Sequence, residues 1–387
     1  MKNSCTIIGS SSSNLGALLM LEETLVRFEK VFEKFYILVP FKKDEHIIKK
    51  LGTSLGINIE IIEWYPKNIL FSYILSNFYF LKKISKINKA FLDSKFTLDI
   101  SGIAFVQKRG VKYLIYNLIC ILLPKNLKSQ IIKLPQSFGP ANSELYKKIM
   151  SIALKKCLMI FSRGESSYCM LKDIGVNSTL SLDLGLLNFE NKEITSNNKL
   201  SVGIVPSVII QKKYRQYNQE YISEIYKLIE NNKSINFTIF NHTYSKKSNN
   251  FSDNLLIDEI NKLVNSTNKN VEFKNNIQNL NELYQVYEQL DMVITSRYHS
   301  LVLAIKNGIY PLVIGWNNKY NDLANIFGLN ESIINTDFQN SKNDFKKLNE
   351  LLQKSYKLKG NTDYESVIEM NKIVEDKFLS INYKPSK

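Results

Sequence analysis

With only three histidines, the chain has few groups able to move a proton near neutral pH. The most informative is His299 in Ser296-Arg297-Tyr298-His299-Ser300-Leu301. Arg297 offers a planar fork that grips phosphate or carboxylate bidentately, and an imidazole two residues on can give or take a proton. His242, in Phe240-Asn241-His242-Thr243, ends a predicted strand and is a candidate for the same site, with a surface loop as its other reading. His46 lies on a charged helix face and reads as idle. Arg163, before Gly164-Glu165-Ser166-Ser167, is a second cation at a strand-to-helix junction; its other reading is a buried ion pair with Glu165 or Asp183.

These residues need a frame, and the hydrophobic pattern supplies one. Residues 292–295 read as a buried strand, followed by a turn, a helix, a stop at Gly308 and a second buried strand at 311–315. His299 thus falls at the helix start, where unpaired N–H groups and the dipole favour anions. The carboxyl ends of such strands are where open α/β sheets bind ligands.

The first half alternates in the same way. Strands at 5–9, 36–40 and 58–63 with helices at 17–30 and 46–55 predict a parallel sheet covered on both faces. The loop between the first strand and helix, Gly9…Asn14-Leu15-Gly16, is not a GxGxxG fingerprint. A strand at 96–102 carries Asp99. One at 130–134 delivers a rigid loop, 135–140, with Gln136 and Ser137, and one at 158–162 delivers Arg163. Residues 64–91 predict a lysine-dotted helix facing the core, with membrane-surface docking as the other reading.

A polar run at 190–198 reads as a linker, giving an N-terminal domain 1–190 and a C-terminal domain 199–387. The second alternation has strands at 200–206, 236–241 and 271–273 and helices at 220–231, 254–264 and 280–289. The charged helical stretch at 345–379 is expected to brace the first domain.

The formal charge of +15 admits anionic substrates, an anionic membrane surface or nucleic acid. Lys, Asn and Ile are abundant throughout, so compositional drift is the other reading of much of the excess. Cys5, Cys120, Cys157 and Cys169 lack CxxC spacing and sit mostly in apolar surroundings, which points away from a metal cluster or disulfide framework and towards a reducing cytosol. There is no P-loop and no GxSxG, and the histidines are too scattered for a metal site. No signal-peptide pattern opens the chain, and the apolar tracts at 69–81 and 114–124 fall short of a bilayer span. The expected location is the cytoplasm, including the inner face of the membrane.

Taken together, the motifs resemble the polysaccharide pyruvyl transferases over most of the chain. The resemblance is carried by Ser296-Arg297-Tyr298-His299-Ser300-Leu301 with Ala304 and Gly308, then Ile314-Gly315 and Lys319-Tyr320…Asp322-Leu323. Supporting matches are Asn14-Leu15-Gly16, Asp99-Ile100-Ser101-Gly102, Pro135-Gln136-Ser137-Phe138-Gly139-Pro140 and Phe161-Ser162-Arg163-Gly164-Glu165-Ser166-Ser167. It implies an α/β fold of two Rossmann-like domains facing across a cleft, GT-B-like, the first on the acceptor side and the second on the donor side. It also implies transfer of a pyruvyl ketal from phosphoenolpyruvate to a sugar of a cell-surface polysaccharide or its lipid-linked precursor, with no metal or cofactor. On this reading His299, Arg163 and Arg297 are catalytic, and Asn14, Gly16, Gln136, Ser137, His242, Ser296 and Lys319 bind substrate. The expected partners are phosphoenolpyruvate, a saccharide or lipid-linked glycan and a peripheral membrane contact, with no nucleic acid. Two positions depart from the family pattern: Ala17-Leu18 stand where an acidic pair is frequent, and Ile103 where an Asp is.

A GT-B glycosyltransferase with a nucleotide-sugar donor is the rival reading. Its paired glutamates would fall at His299 and near Lys306-Asn307, neither of which accepts ribose hydroxyls as a carboxylate does. A non-enzymatic nucleic-acid or surface-binding protein is a third, and leaves Arg163, Arg297 and His299 without a role.

Overall fold

Runs of Ile, Val, Leu and Phe that are apolar on both sides of a strand are stable only between two layers of helix, and the chain builds two sheets of that kind. The structure, a computed structural model, describes residues 4–12, 14–40, 44–186, 199–244, 252–264 and 270–355. These fall into two units, 4–12 with 17–186 and 14–16 with 199–355. The expected linker at 190–198 lies outside the described residues.

In the first unit the elements follow as β1 (Ser4–Ile8), α1 (Leu15–Phe28, whose first two residues fall with the second unit), β2 (Lys34–Val39), α2 (Asp44–Leu55), β3 (Ile59–Glu63), α3 (Pro66–Ser76), α4 (Lys86–Asp93) and β4 (Phe96–Asp99). Then come β5 (Ile103–Ala104), α5 (Val111–Asn126), β6 (Gln130–Phe138), α6 (Glu144–Leu154), β7 (Met159–Arg163), α7 (Glu165–Asp173) and β8 (Thr179–Ser181). The sheet order is β3-β2-β1-β4-β6-β7-β8, with β5 paired to β6 and every pairing parallel. Alternate residues such as Tyr36 and Leu38 join Ile8, Ile62, Trp64 and Phe91 in one core cluster, as the two-residue side-chain period requires. Gly9 (φ 90°) ends β1 where a Cβ would meet the Ser101 backbone nitrogen at 2.5 Å, so only glycine allows this close approach.

Residues 135–138, expected as a loop, continue β6 instead. A register shift between Lys133 and Gln136 absorbs Pro135, and the two-residue β5 then pairs with Ser137 and Phe138. The helix expected over 64–91 is two helices joined by turns, and many of its apolar side chains face water.

The second unit comprises β9 (Ser201–Val205), α8 (Val208–Gln216), α9 (Tyr221–Glu230), β10 (Asn236–Phe240), α10 (Asn254–Val264), β11 (Val271–Lys274), α11 (Leu280–Tyr287) and β12 (Met292–Thr295). It continues with α12 (Tyr298–Lys306), β13 (Tyr310–Gly315), α13 (Asn318–Ile326), β14 (Ile333–Asn335) and α14 (Ser341–Ser355). Its parallel order is β11-β10-β9-β12-β13-β14. Renumbered within the unit this is 3-2-1-4-5-6, the doubly wound Rossmann order whose direction reverses between the first and fourth strands. Three elements escape the sequence patterns. α8 opens on Val208-Ile209-Ile210, which reads as strand; α13 is polar; β14 has three residues. Phe345, Leu348 and Leu352 of α14 pack in this unit's own core. The rest of the helix expected to brace the first domain lies outside the described residues. Among the described residues no helix is long and apolar enough to cross a membrane.

Candidate active site

The topological switch of the second unit is where its candidate site residues lie. β9 and β12 are neighbours there, and the chain leaves β12 through Ser296 and Arg297 directly into α12. That turn is held rigidly. The Arg297 N–H donates to Thr295 Oγ1 (2.9 Å), and the Tyr320 hydroxyl donates to the Ser296 carbonyl (2.8 Å). The Tyr287 hydroxyl of α11 bonds Ser300 Oγ (2.7 Å) in the first turn of α12. Among the described residues the Arg297 side chain makes no cap hydrogen bond at the helix start.

Arg297 is aimed by a buried carboxylate. Its Nη2 pairs with Asp253 and donates to Thr243 Oγ1 at 3.3 Å, while its buried Nε meets no acceptor among the described residues. Asp253, fully buried just before α10, also accepts from Val208 N (3.1 Å) and Thr243 Oγ1 (2.8 Å). Asp253 therefore ties the ends of β9 and β10 to the arginine. The sequence offered a signal for it, a carboxylate preceding an apolar helix in Ser252-Asp253-Asn254, but helix starts of that kind are common.

His242, one residue beyond Asn241 at the end of β10, is buried, and its Nε2 has no hydrogen-bond partner among the described residues. Its surface-loop reading is thereby excluded. Burial pushes its pKa down to about 3, helped by its neighbours His299 and Arg297. His242 is therefore a neutral imidazole at physiological pH, able to hydrogen-bond a substrate but not to act as a cationic acid.

Asn14 and Gly16 come to the same place, and by their contacts they belong with the second unit rather than the N-terminal one. Asn14 bridges Thr243, the Leu15 N–H donates to the His242 carbonyl (3.3 Å), and Asn14 Oδ1 accepts from Gly16 N (3.0 Å). Gly16 is pressed against His299: a Cβ there would lie 2.2 Å from both Cγ and Nδ1 of the ring. Lys319, in α13, has its Nζ 5.0 Å from the Tyr298 ring centroid and 5.2 Å from that of Tyr320, which places a further cation beside the turn. Asn14, Gly16, His242, Ser296, Arg297, His299 and Lys319 are thus gathered around the end of β12.

Gln136, Ser137 and Arg163 belong to the first unit, at the carboxyl edge of its sheet. Arg163 is buried, with Nη1 on Asp183 (2.5 Å), Nη2 on the Gly102 carbonyl (2.5 Å) and Nε on Ser137 Oγ (3.2 Å). Of its two readings the geometry displays the ion pair, and the partner is Asp183. A neighbouring pair, unmarked in the sequence, joins Lys133 Nζ to Asp99 Oδ2 at 2.5 Å. Burial opposes the Lys133 charge, but Asp99 outweighs it and holds the ammonium above its ordinary pKa. Gln136 Nε2 donates to the carbonyls of Asp99 and Leu134 (3.2 and 3.3 Å), leaving a buried Oε1 with no donor among the described residues. Burial pushes the thiols of Cys120 to about 12 and Cys157 to about 11, so neither is a thiolate nucleophile near neutrality. Among the described residues no group of His, Cys, Asp and Glu could hold a metal ion.

The neutrality of His242 has a measurable consequence. Its folded pKa lies below the ordinary 6.5, so the unfolded chain takes up a proton that the folded unit refuses. The stabilisation is complete above pH 6.5 and declines on acidification by up to about 1.4 kcal/mol per pH unit. Between pH 7 and pH 5.5, wild type should lose about 1 kcal/mol more unfolding free energy than His242→Gln in urea titrations. Equal losses would mean that His242 titrates normally.

Two doubly wound parallel sheets, each with polar and charged residues gathered at its carboxyl edge, give the chain a GT-B-like α/β fold. It belongs to the polysaccharide pyruvyl transferase family, whose sequence profile matches residues 14–318. No curated protein is significantly similar in sequence. Solved structures share the fold at low identity. A Listeria monocytogenes protein described as a UDP-N-acetylglucosamine 2-epimerase superposes with TM-score 0.58 at 10% identity, covering 95% of this chain and 90% of its own. A trehalose-6-phosphate synthase gives 0.54 at 10%, covering 99% of both chains. A Rickettsia africae glycosyltransferase gives 0.52 at 10%, covering 97% and 98%.

Proposed function

We propose that this transferase moves a pyruvyl group from phosphoenolpyruvate to two hydroxyls of a saccharide, forming a cyclic ketal and releasing phosphate. The observation that carries this reading is Arg297, aimed by Asp253 at the start of α12 beside His299 and the neutral His242. A donor with both a phosphate and a carboxylate suits a guanidinium fork, a helix start and the nearby Lys319.

In the proposed reaction a proton is added to the methylene carbon of phosphoenolpyruvate, which becomes the methyl group, while a sugar hydroxyl attacks the adjacent carbon. A second hydroxyl then replaces the phosphate on that carbon. The two hydroxyl protons balance the reaction, one ending on the methyl carbon and the other on phosphate. His299 is the proposed acid–base group. His242, uncharged, would hydrogen-bond a substrate oxygen without adding a third positive charge beside Arg297 and Lys319. Arg163 is proposed to act by positioning, since its nitrogens hold Gly102, Ser137 and Asp183.

The test is a donor comparison with lipid-linked and free glycan acceptors. Phosphate release should require both phosphoenolpyruvate and an acceptor, and the glycan should gain a ketal carboxylate detectable by mass. Consumption of a nucleotide sugar with no phosphoenolpyruvate-dependent product would overturn the proposal.

A further inference from the structure

Apolar residues left in water on a folded domain are ordinarily scattered. In the first unit they are concentrated: residues 70–84 hold eight of the 17 exposed large hydrophobic side chains among the described residues. Phe71 and Ile74 lie on the outer side of α3, and Phe78, Tyr79, Phe80 and Ile84 on the turns that follow. Phe80 is 89% exposed and Tyr79 75%. An aromatic tip this open stands at a free-energy disadvantage in water unless something covers it.

The presentation is built, because the same segment is pinned from beneath. Ile69, Leu75 and Ile87 are buried. Ser72 Oγ bonds Ser85 Oγ (2.6 Å), and Asn88 Nδ2 donates to the Ser72 carbonyl (3.1 Å). From α5, Asn126 Nδ2 reaches both Ser76 Oγ and Asn77 Oδ1 (3.3 Å each). Fixed on one side, α3 and its turns leave Phe71, Ile74, Phe78, Tyr79, Phe80 and Ile84 facing water.

Charge identifies what that surface meets. Between Pro66 and Leu92 there are five lysines (Lys67, Lys82, Lys83, Lys86 and Lys89) and no acidic residue. Four of the five are exposed, and Lys82 lies with its Nζ 4.6 Å from the Tyr79 ring centroid. A protein partner would have to be apolar and acidic together. A second copy pairing through the same patch would set five lysines against five with no carboxylate between them. An anionic lipid surface supplies both requirements, an acyl boundary for aromatic rings and phosphate headgroups for ammonium groups.

We propose that residues 66–92 form a peripheral membrane anchor, with Phe78, Tyr79 and Phe80 entering the headgroup–acyl boundary of an anionic bilayer and the lysines lying on its phosphates. The anchor is independent of the reading of the active site. Under pyruvyl transfer it would hold the enzyme where a lipid-linked glycan is presented.

The test is co-sedimentation of the purified full chain with vesicles of phosphatidylcholine alone or mixed with phosphatidylglycerol. The protein should pellet with the mixed vesicles, remain in the supernatant with phosphatidylcholine alone, and be released by salt. Phe78→Ser/Tyr79→Ser/Phe80→Ser should reduce partitioning by about tenfold or more while leaving thermal unfolding in solution unchanged, since these rings are exposed. Lys82→Gln/Lys83→Gln/Lys86→Gln should abolish the preference for the anionic vesicles. Wild-type protein that stays in the supernatant, or binding that survives the triple serine change, would refute the anchor. So would a concentration-dependent dimer that the serine variant dissolves, without vesicle binding.

Discussion

Gly16→Ala is expected to reduce turnover by about 100-fold or more, the scale at which a displacement of about 1 Å in a reacting group is felt. Local backbone preference argues the other way, since alanine inside the start of α1 should favour the helix by up to about 1 kcal/mol. The new methyl group would, however, lie 2.2 Å from Cγ and 2.5 Å from Cβ of His299. Those atoms lie close to the His299 backbone and cannot swing away as the end of a long side chain can. The imidazole or the Asn14–Gly16 turn must move, and either displaces the proposed acid–base group. His299→Ala should abolish turnover while the unit still folds. The double variant Gly16→Ala/His299→Ala should be no slower than His299→Ala alone, because both changes act through one group. Wild-type turnover in Gly16→Ala would remove His299 from the chemistry.

Asp253→Ala should be among the most destabilising single changes in the second unit. The carboxylate is fully buried and serves three donors: the Arg297 guanidinium, the Thr243 hydroxyl and the Val208 N–H. Breaking one side of a buried pair leaves an uncompensated charge, typically about 3–5 kcal/mol. Arg297 keeps 14% of its side-chain surface, which places the expected loss at the lower end of that range. Asp253→Asn retains the shape and some hydrogen bonding but removes the charge, so it should fold better than Asp253→Ala and still show a raised KM for the donor. Chemical unfolding and steady-state kinetics of the two variants separate the roles. Unchanged stability in Asp253→Ala would show that Arg297 is held by other contacts, and an unchanged KM in Asp253→Asn would detach the pair from donor binding.

Much of the frame was legible in the order of residues. Periodic apolar runs located most strands and helices, because a strand between two helical layers must be apolar on both sides whatever its neighbours are. The β12–α12 junction and its Arg297 and His299 were legible for the same reason, as a strand end, a helix start and a Gly308 stop. The misreadings have local causes. Pro135 reads as a break, yet a register shift lets β6 run through it. The amphipathic pattern of residues 64–91 reads as a face on the core, although burial is satisfied by Ile69, Leu75 and Ile87, while Phe78 to Phe80 stay in water. For Arg163, the pattern left two partners open, and the fold pairs it with Asp183.

By itself, then, the sequence determined two parallel α/β sheets, a set of chemically able residues and the family motif that joins them, because periodicity, turn chemistry and residue type act over a few neighbouring positions. Only the tertiary structure decided that Asp253 aims Arg297, that His242 is held neutral, and that Gly16 lies against the His299 ring. Each of these depends on groups tens to hundreds of residues apart meeting in a dry environment. Burial and neighbouring charge set pKa values and orientation there, and no local pattern in the chain records them.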